Sequence, residues 1–262
     1  MTENEWPDEE EAPVEALFGP GDLAQALMGL KMLGDDMYLS MQANNIGAID
    51  NFLNAIETQV LRELIEGDGT PASAFFLQAQ TQMWIFALYE LLRTWRERAD
   101  NMIKWRDNLV LDQMIDKYRQ PLSYKHYGRE RFAAQLQELK DDPRVVLALR
   151  NDLLKTERPF RWMELLRMSL AKHEVAKVKG SIAFAPGYGR INHENGSMQY
   201  EISTDFAVFD TLSRRQIANS FRSLPSMVVP TKAEAAEFRQ LLKEMQALED
   251  PFSSPSPLGG DF

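Results

Sequence analysis

The chain contains no cysteine and only three histidines in 262 residues. Disulfides, thiolate nucleophiles, cysteine-ligated zinc and iron–sulfur clusters are therefore excluded. Long apolar runs are also missing, since none approaches the ~18 residues that cross a bilayer. The opening MTENEWPDEEEAP is acidic and has no apolar centre, unlike a secretory leader. These features lead to the expectation of a cytoplasmic protein that does not enter a membrane. Glycine-rich phosphate loops and the HExxH and GxSxG motifs do not occur; Gly187-Tyr-Gly189 lacks the third glycine of a dinucleotide loop and reads as a strand bend. The residues three before the histidines are Ser123, Leu170 and Arg190, so there is no Glu-x-x-His pair for a di-iron site. No cofactor and no metal is implied.

What is present is charge, unevenly placed. The formal net charge is −10. Residues 1–60 hold twelve Asp and Glu against Lys31 alone, whereas the remaining 202 residues are almost balanced. Residues 144–179 run the other way, with nine Lys and Arg against four acids. An acidic arm at 1–20, punctuated by Pro7, Pro13 and Pro20, is expected to be disordered and to act as a docking or regulatory element. The tail DPFSSPSPLGGDF at 250–262 has the composition of a second disordered segment.

Between the tails the pattern is helical, and residues 21–249 read as a single domain. Ile46, Ile49, Leu53, Ile56, Val60 and Leu64 recur at steps of three and four, and Gly67-Asp68-Gly69 ends that helix. Thr70 and Pro71 open a long central helix with Leu77, Trp84, Leu88, Leu91 and Trp95 on one side, reaching about Asp100. Its aromatics on other faces (Phe75, Phe76, Phe86, Tyr89) predict packing on more than one side. Further helices are predicted over 102–118, 129–140, 142–155 and 158–175, with Pro159 opening the last. Thr231-Lys-Ala-Glu234 is a capping box for a helix to about Leu248. Residues 180–203 differ. Asn195-Gly196 is a type I′ hairpin signal, and pairing about it sets Ile191 opposite Tyr200 and His193 opposite Met198. A helix over about 212–222 then follows. The expected fold is mainly α, a multi-helix bundle with one long central helix and a single β-hairpin.

Two acidic pairs, Glu63-x-x-Glu66 and Glu97-x-x-Asp100, resemble the magnesium-holding motifs of all-helical nucleotide pyrophosphohydrolases. On an unbroken helix they stand about 39 Å apart along the axis, which forbids a shared ion.

Arg167 and His173 are six residues apart, and Arg119 and His126 are seven apart. The Arg-x5-His and Arg-x6-His spacings resemble the signature of the HEPN superfamily, helical proteins many of which are metal-independent ribonucleases acting as dimers. The resemblance implies that Arg167 stabilises a phosphate and that His173 moves a proton for the ribose 2′-hydroxyl, with RNA as substrate. Met168 follows the arginine here, where the family often has a polar residue. On a regular helix Arg167 and His173 also point about 120° apart, so convergence needs the helix to end near Lys172 or a partner subunit to complete the site. Read from the residues alone, His173 closes the stripe Met163, Leu166, Leu170 and is favoured there by a helix C-terminus.

Arg158, Arg161 and Trp162 form a candidate anion or nucleic-acid stacking face. Arg214 and Arg215 stand in the first turn of a predicted helix, against its dipole, which calls for an acidic partner, with the acidic arm and a phosphate as the candidates. The leading functional expectation is action through protein–protein contact with self-association as a homo-oligomer. The alternative is the HEPN-like ribonuclease.

Overall fold

The structure, a computed structural model, describes residues 19, 21–67, 69–171, 187–203 and 208–246. The expected tails at 1–20 (Gly19 apart) and 250–262 lie outside these residues, as does His173. The elements run α1 (Asp22–Met28), α2 (Met37–Glu66), α3 (Ala72–Asp107), α4 (Leu111–Arg119), α5 (Tyr127–Asp141), α6 (Pro143–Ala171), β1 (Gly189–Ile191), β2 (Met198–Ser203), β3 (Val208–Ser213), α7 (Arg214–Arg222) and α8 (Lys232–Gln246). The architecture is mainly helical with one small antiparallel sheet of order β1-β2-β3.

The centre is the α2–α3 hairpin. Asp36 caps α2 by accepting the backbone N–H groups of Tyr38 and Leu39, each at 3.0 Å. The buried seam of α2 is Leu39, Ala43, Ile46, Asp50, Leu53, Glu57 and Val60, a strict alternation of four- and three-residue steps. It is rotated from the predicted stripe, because Asp50 and Glu57 occupy seam positions while Ile49 faces out. In α3 all five predicted stripe residues are buried. That helix runs 36 residues, about 54 Å at 1.5 Å per residue. It continues past Asp100 and absorbs the start of the helix predicted from Met102. The break comes instead at 108–110, where Leu109 takes φ 59° and the Val110 N–H turns back to the Trp105 carbonyl.

Residues 143–171 form one helix, not two, with Pro159 inside it. Proline removes a helical donor and crowds the carbonyl four residues earlier, so an uninterrupted helix there needs outside support. α3 supplies it. Arg96 donates to the Leu153 carbonyl at 3.1 Å and to Thr156 Oγ1 at 2.6 Å, and pairs with the buried Glu157 carboxylate.

The hairpin forms with a register two residues away from expectation. Ile191 faces Met198, and Gly189 faces Tyr200. The connection is a four-residue loop closed by Asn192 N–H to the Ser197 carbonyl and Gly196 N–H to the Asn192 carbonyl. Gly196, at φ +75°, lies so close to α2 that a β-carbon would meet the Glu57 carbonyl at 2.0 Å. An even shift keeps the faces, so Ile191, Met198 and Tyr200 still share one side. His193 falls in the loop and is exposed. The hairpin is extended by β3, and α7 starts at Arg214 rather than 212. Ser213 and Gln216 cap it reciprocally. The predicted box at α8 is present, with Glu234 N–H to Thr231 Oγ1 at 3.2 Å and Thr231 N–H to Glu234 at 2.7 Å.

Candidate functional site

The acidic partner that Arg214 and Arg215 require comes from α2. Arg214 is fully buried and donates to Glu57 through Nε at 2.6 Å and Nη2 at 2.8 Å, while also reaching Asp50 and Asn54. Arg215 reaches Glu57 at 2.7 Å, and Arg222 pairs with Asp50. The Arg214 guanidinium also lies 5.4 Å from the Trp84 ring centre. Burial pulls Arg214 towards neutrality, and the Glu57 and Asp50 carboxylates more than reverse this, so its pKa is above the ordinary arginine value. These are tertiary ties between α2 and α7. Arg214 is enclosed by them and offers no face to an outside anion.

Arg158, Arg161 and Trp162 are likewise engaged within the chain. Phe238 of α8 lies 5.6 Å under Arg158 and 6.2 Å from the Trp162 ring. Arg161 pairs with Glu164 at 2.7 Å and Glu157 at 3.3 Å. Arg167 lies 4.9 Å over Tyr89 and 3.7 Å from Glu90. His173, the other half of the Arg167–His173 pair, lies outside the described residues. Among the described residues no group of three or more His, Asp or Glu side chains is placed to hold a metal ion. Glu63 is instead tied to Ser73 and Gln59, whose hydrogen bonds hold its carboxyl below the usual range.

Two surface features remain. The first is the outer side of the α2–α3 hairpin. From Thr70 to Tyr89 no residue is charged, and Phe75, Phe76 and Met83 are 72%, 50% and 64% exposed, with Ala79 and Ala87 between and beyond them. Farther along α3 the same face turns charged, with Arg93 paired to Glu90 and Glu97. On α2 the outward side carries Met41, Ile49 and Phe52, all exposed. Singly exposed apolar residues are ordinary, but a run along one helix face marks a contact surface.

The second is a recess of about 520 Å³ between the starts of α2 and α5 and the C-terminal part of α3, beside loop 120–126. A neighbouring hollow of similar size lies along the same loop and includes both Arg119 and His126. Both have local partners. Arg119 donates to Gln137 at 3.1 Å, and His126 Nδ1 accepts the Arg129 backbone N–H as the cap of α5. The sequence singles out His126 only through its spacing from Arg119. The available signal was the crowding of Tyr118, Tyr124 and Tyr127 within ten residues of sequence.

No family model, no curated protein and no solved structure matches this chain. No helix among the described residues is long and apolar enough to cross a membrane.

Proposed function

We propose that this is a cytoplasmic helical protein that acts through protein–protein contact and self-associates, with its acidic N-terminal arm as a docking or regulatory element. The observation that carries this reading is the uncharged outer face of α3 from Phe75 to Ala87. In an isolated chain that face exposes large apolar side chains over about four turns. A partner face that also lacks charge covers it without desolvating an ion, and a second copy of this chain has such a face. A two-fold pairing then sets the same patch against itself, the usual geometry of homodimers.

Sedimentation or light scattering of the purified chain at 1–100 μM, beside Phe76→Glu and Met83→Glu, tests it. Wild type should behave as a dimer. Each glutamate buries an unpaired charge at the contact and should weaken the association at least tenfold while leaving the helical circular dichroism unchanged. A monomeric wild type would overturn the reading. So would cleavage of single-stranded RNA in EDTA by wild type but not by His173→Ala, which would favour the HEPN-like alternative.

A further inference from the structure

We infer that the recess beside loop 120–126 is a binding site for a nucleotide, with the base against its tyrosines and the phosphate against its cations. The site goes beyond the contact surface proposed above and shares neither Phe76 nor Met83 with it.

Its walls are aromatic and fixed. Tyr118 and Phe132 pack edge to face at 4.8 Å, and Trp105 meets Phe132 at 6.2 Å, forming the floor. The Tyr38 ring lies against Gly128, where a β-carbon would come within 2.8 Å of it. Glycine at that position lets a tyrosine of α2 close against the first turn of α5. Tyr124 stands opposite on the loop, 63% exposed, its ring 6.0 Å from that of His126. Tyrosine rings left open beside a cavity offer flat faces on which any base can stack.

Its cations are positioned by the fold. The Asp36 carboxylate is buried, and while one oxygen caps α2 the other accepts Arg98 Nη1 at 2.9 Å. Arg98 is thereby held at the recess, and among the described residues its Nε and Nη2 donors have no other partner. Arg129 is anchored through Nε to the Tyr118 carbonyl at 3.0 Å, and through Nη2 to that of Lys117. Lys125 lines the neighbouring hollow, its ammonium 4.7 Å from the Tyr127 ring centre and 4.0 Å from the exposed Glu130 carboxylate. Across the two hollows Arg98, Arg119, Lys125 and Arg129 face the carboxylates of Asp36 and Glu130 alone, in a chain whose net charge is −10. A local excess of cations on an acidic protein selects an anion.

Donors for recognition complete the site. With Nδ1 accepting from Arg129, the neutral His126 ring carries its proton on Nε2. The Asn101 amide lines the recess without a hydrogen-bond partner among the described residues. A planar ring with polar edges joined to a phosphate satisfies the stacking faces, the cations and these donors together. The volume lies within the usual range for small-ligand pockets, about 300–1,000 Å³. The same chemistry is offered by a free mononucleotide and by the terminal nucleotide of a strand.

The test is calorimetric titration of the full chain with AMP, adenosine, inorganic phosphate and a 5′-phosphorylated hexa-adenylate. AMP should bind saturably, at least tenfold more tightly than adenosine or phosphate. Tyr124→Ala and Lys125→Ala, both at exposed positions, should each weaken it at least threefold with an unchanged melting temperature. Arg98→Gln should weaken it at least tenfold. Hexa-adenylate that binds more tightly than AMP and is displaced by it identifies the strand end as the ligand; AMP binding without the oligomer identifies the free nucleotide. No saturable binding of either at millimolar concentration would overturn the inference. So would binding that survives Tyr124→Ala undiminished, or phosphate binding as tightly as AMP.

Discussion

Arg214 of α7 is tied to one helix, α2, at Glu57 and Asp50, which stand 157 and 164 residues before it in the sequence. A buried ion pair is a weak source of net stability, but removing one partner strands the other in a low-dielectric interior. Arg214→Ala should therefore cost about 3–5 kcal/mol in chemical denaturation. Replacing Asp50 and Glu57 by Asn and Gln as well should not recover that loss, because Arg215 and the buried Arg222 pair with the same two carboxylates. Asp152 behaves differently. Burial raises its carboxyl, while the Lys31 backbone N–H that it accepts at 2.8 Å and nearby Lys155 oppose the shift without cancelling it. With a folded pKa above the unfolded one near 3.8, the native state holds the proton longer. Stability from this group therefore falls as pH rises through the window just above 3.8. The melting temperature of Asp152→Asn relative to wild type should rise across that window and level off beyond it.

At the scale of elements, caps and contacts settle boundaries that periodicity leaves open. Ser213→Ala removes one half of the reciprocal cap on α7 and should cost about 1 kcal/mol. Hydrogen exchange should show the loss first in residues 214–217. The long apolar stripe of α3, the capping box of α8 and the presence of a hairpin about Asn195-Gly196, though not its register or its turn, were legible because each rests on neighbours within a few residues. The uninterrupted α6 was not, since a proline reads locally as a helix start, and the contacts of Arg96 with residues 153–157 are tertiary. Nor was the true seam of α2. Hydrophobicity assigns Ile49 to it, whereas Ile49 faces out and Asp50 and Glu57 belong there because arginines from α7 meet them. Arg214 and Arg215 were read as contacts for the acidic arm or a phosphate, whereas Asp50 and Glu57 of α2 meet them, a tertiary fact that no local window carries. The recess draws on α2, α3, α4 and α5, so no local window could show it.

For the whole molecule, one core cluster runs from Leu23 to Leu224 and takes residues from α1 through α7. The outer α2–α3 face is apolar surface left over after that core is filled. If it is the dimer contact, association should scarcely change between 0.05 and 0.5 M sodium chloride, because no ion pair sits there to be screened. It should strengthen in ammonium sulfate, which favours apolar burial. Concentration-dependent sedimentation in the two salts reads this directly.

The spacing between α2 and α7 also has a consequence for synthesis. A ribosome adds about 5–20 residues per second, and Arg222 follows Asp50 by 172 residues. For roughly 10–30 seconds the nascent hairpin therefore holds two seam carboxylates with no arginine to meet them. Until residues 214–222 emerge, the growing chain is expected to keep α2 unlatched and to lean on chaperones, and a translational pause before that point would lengthen its exposure to proteases.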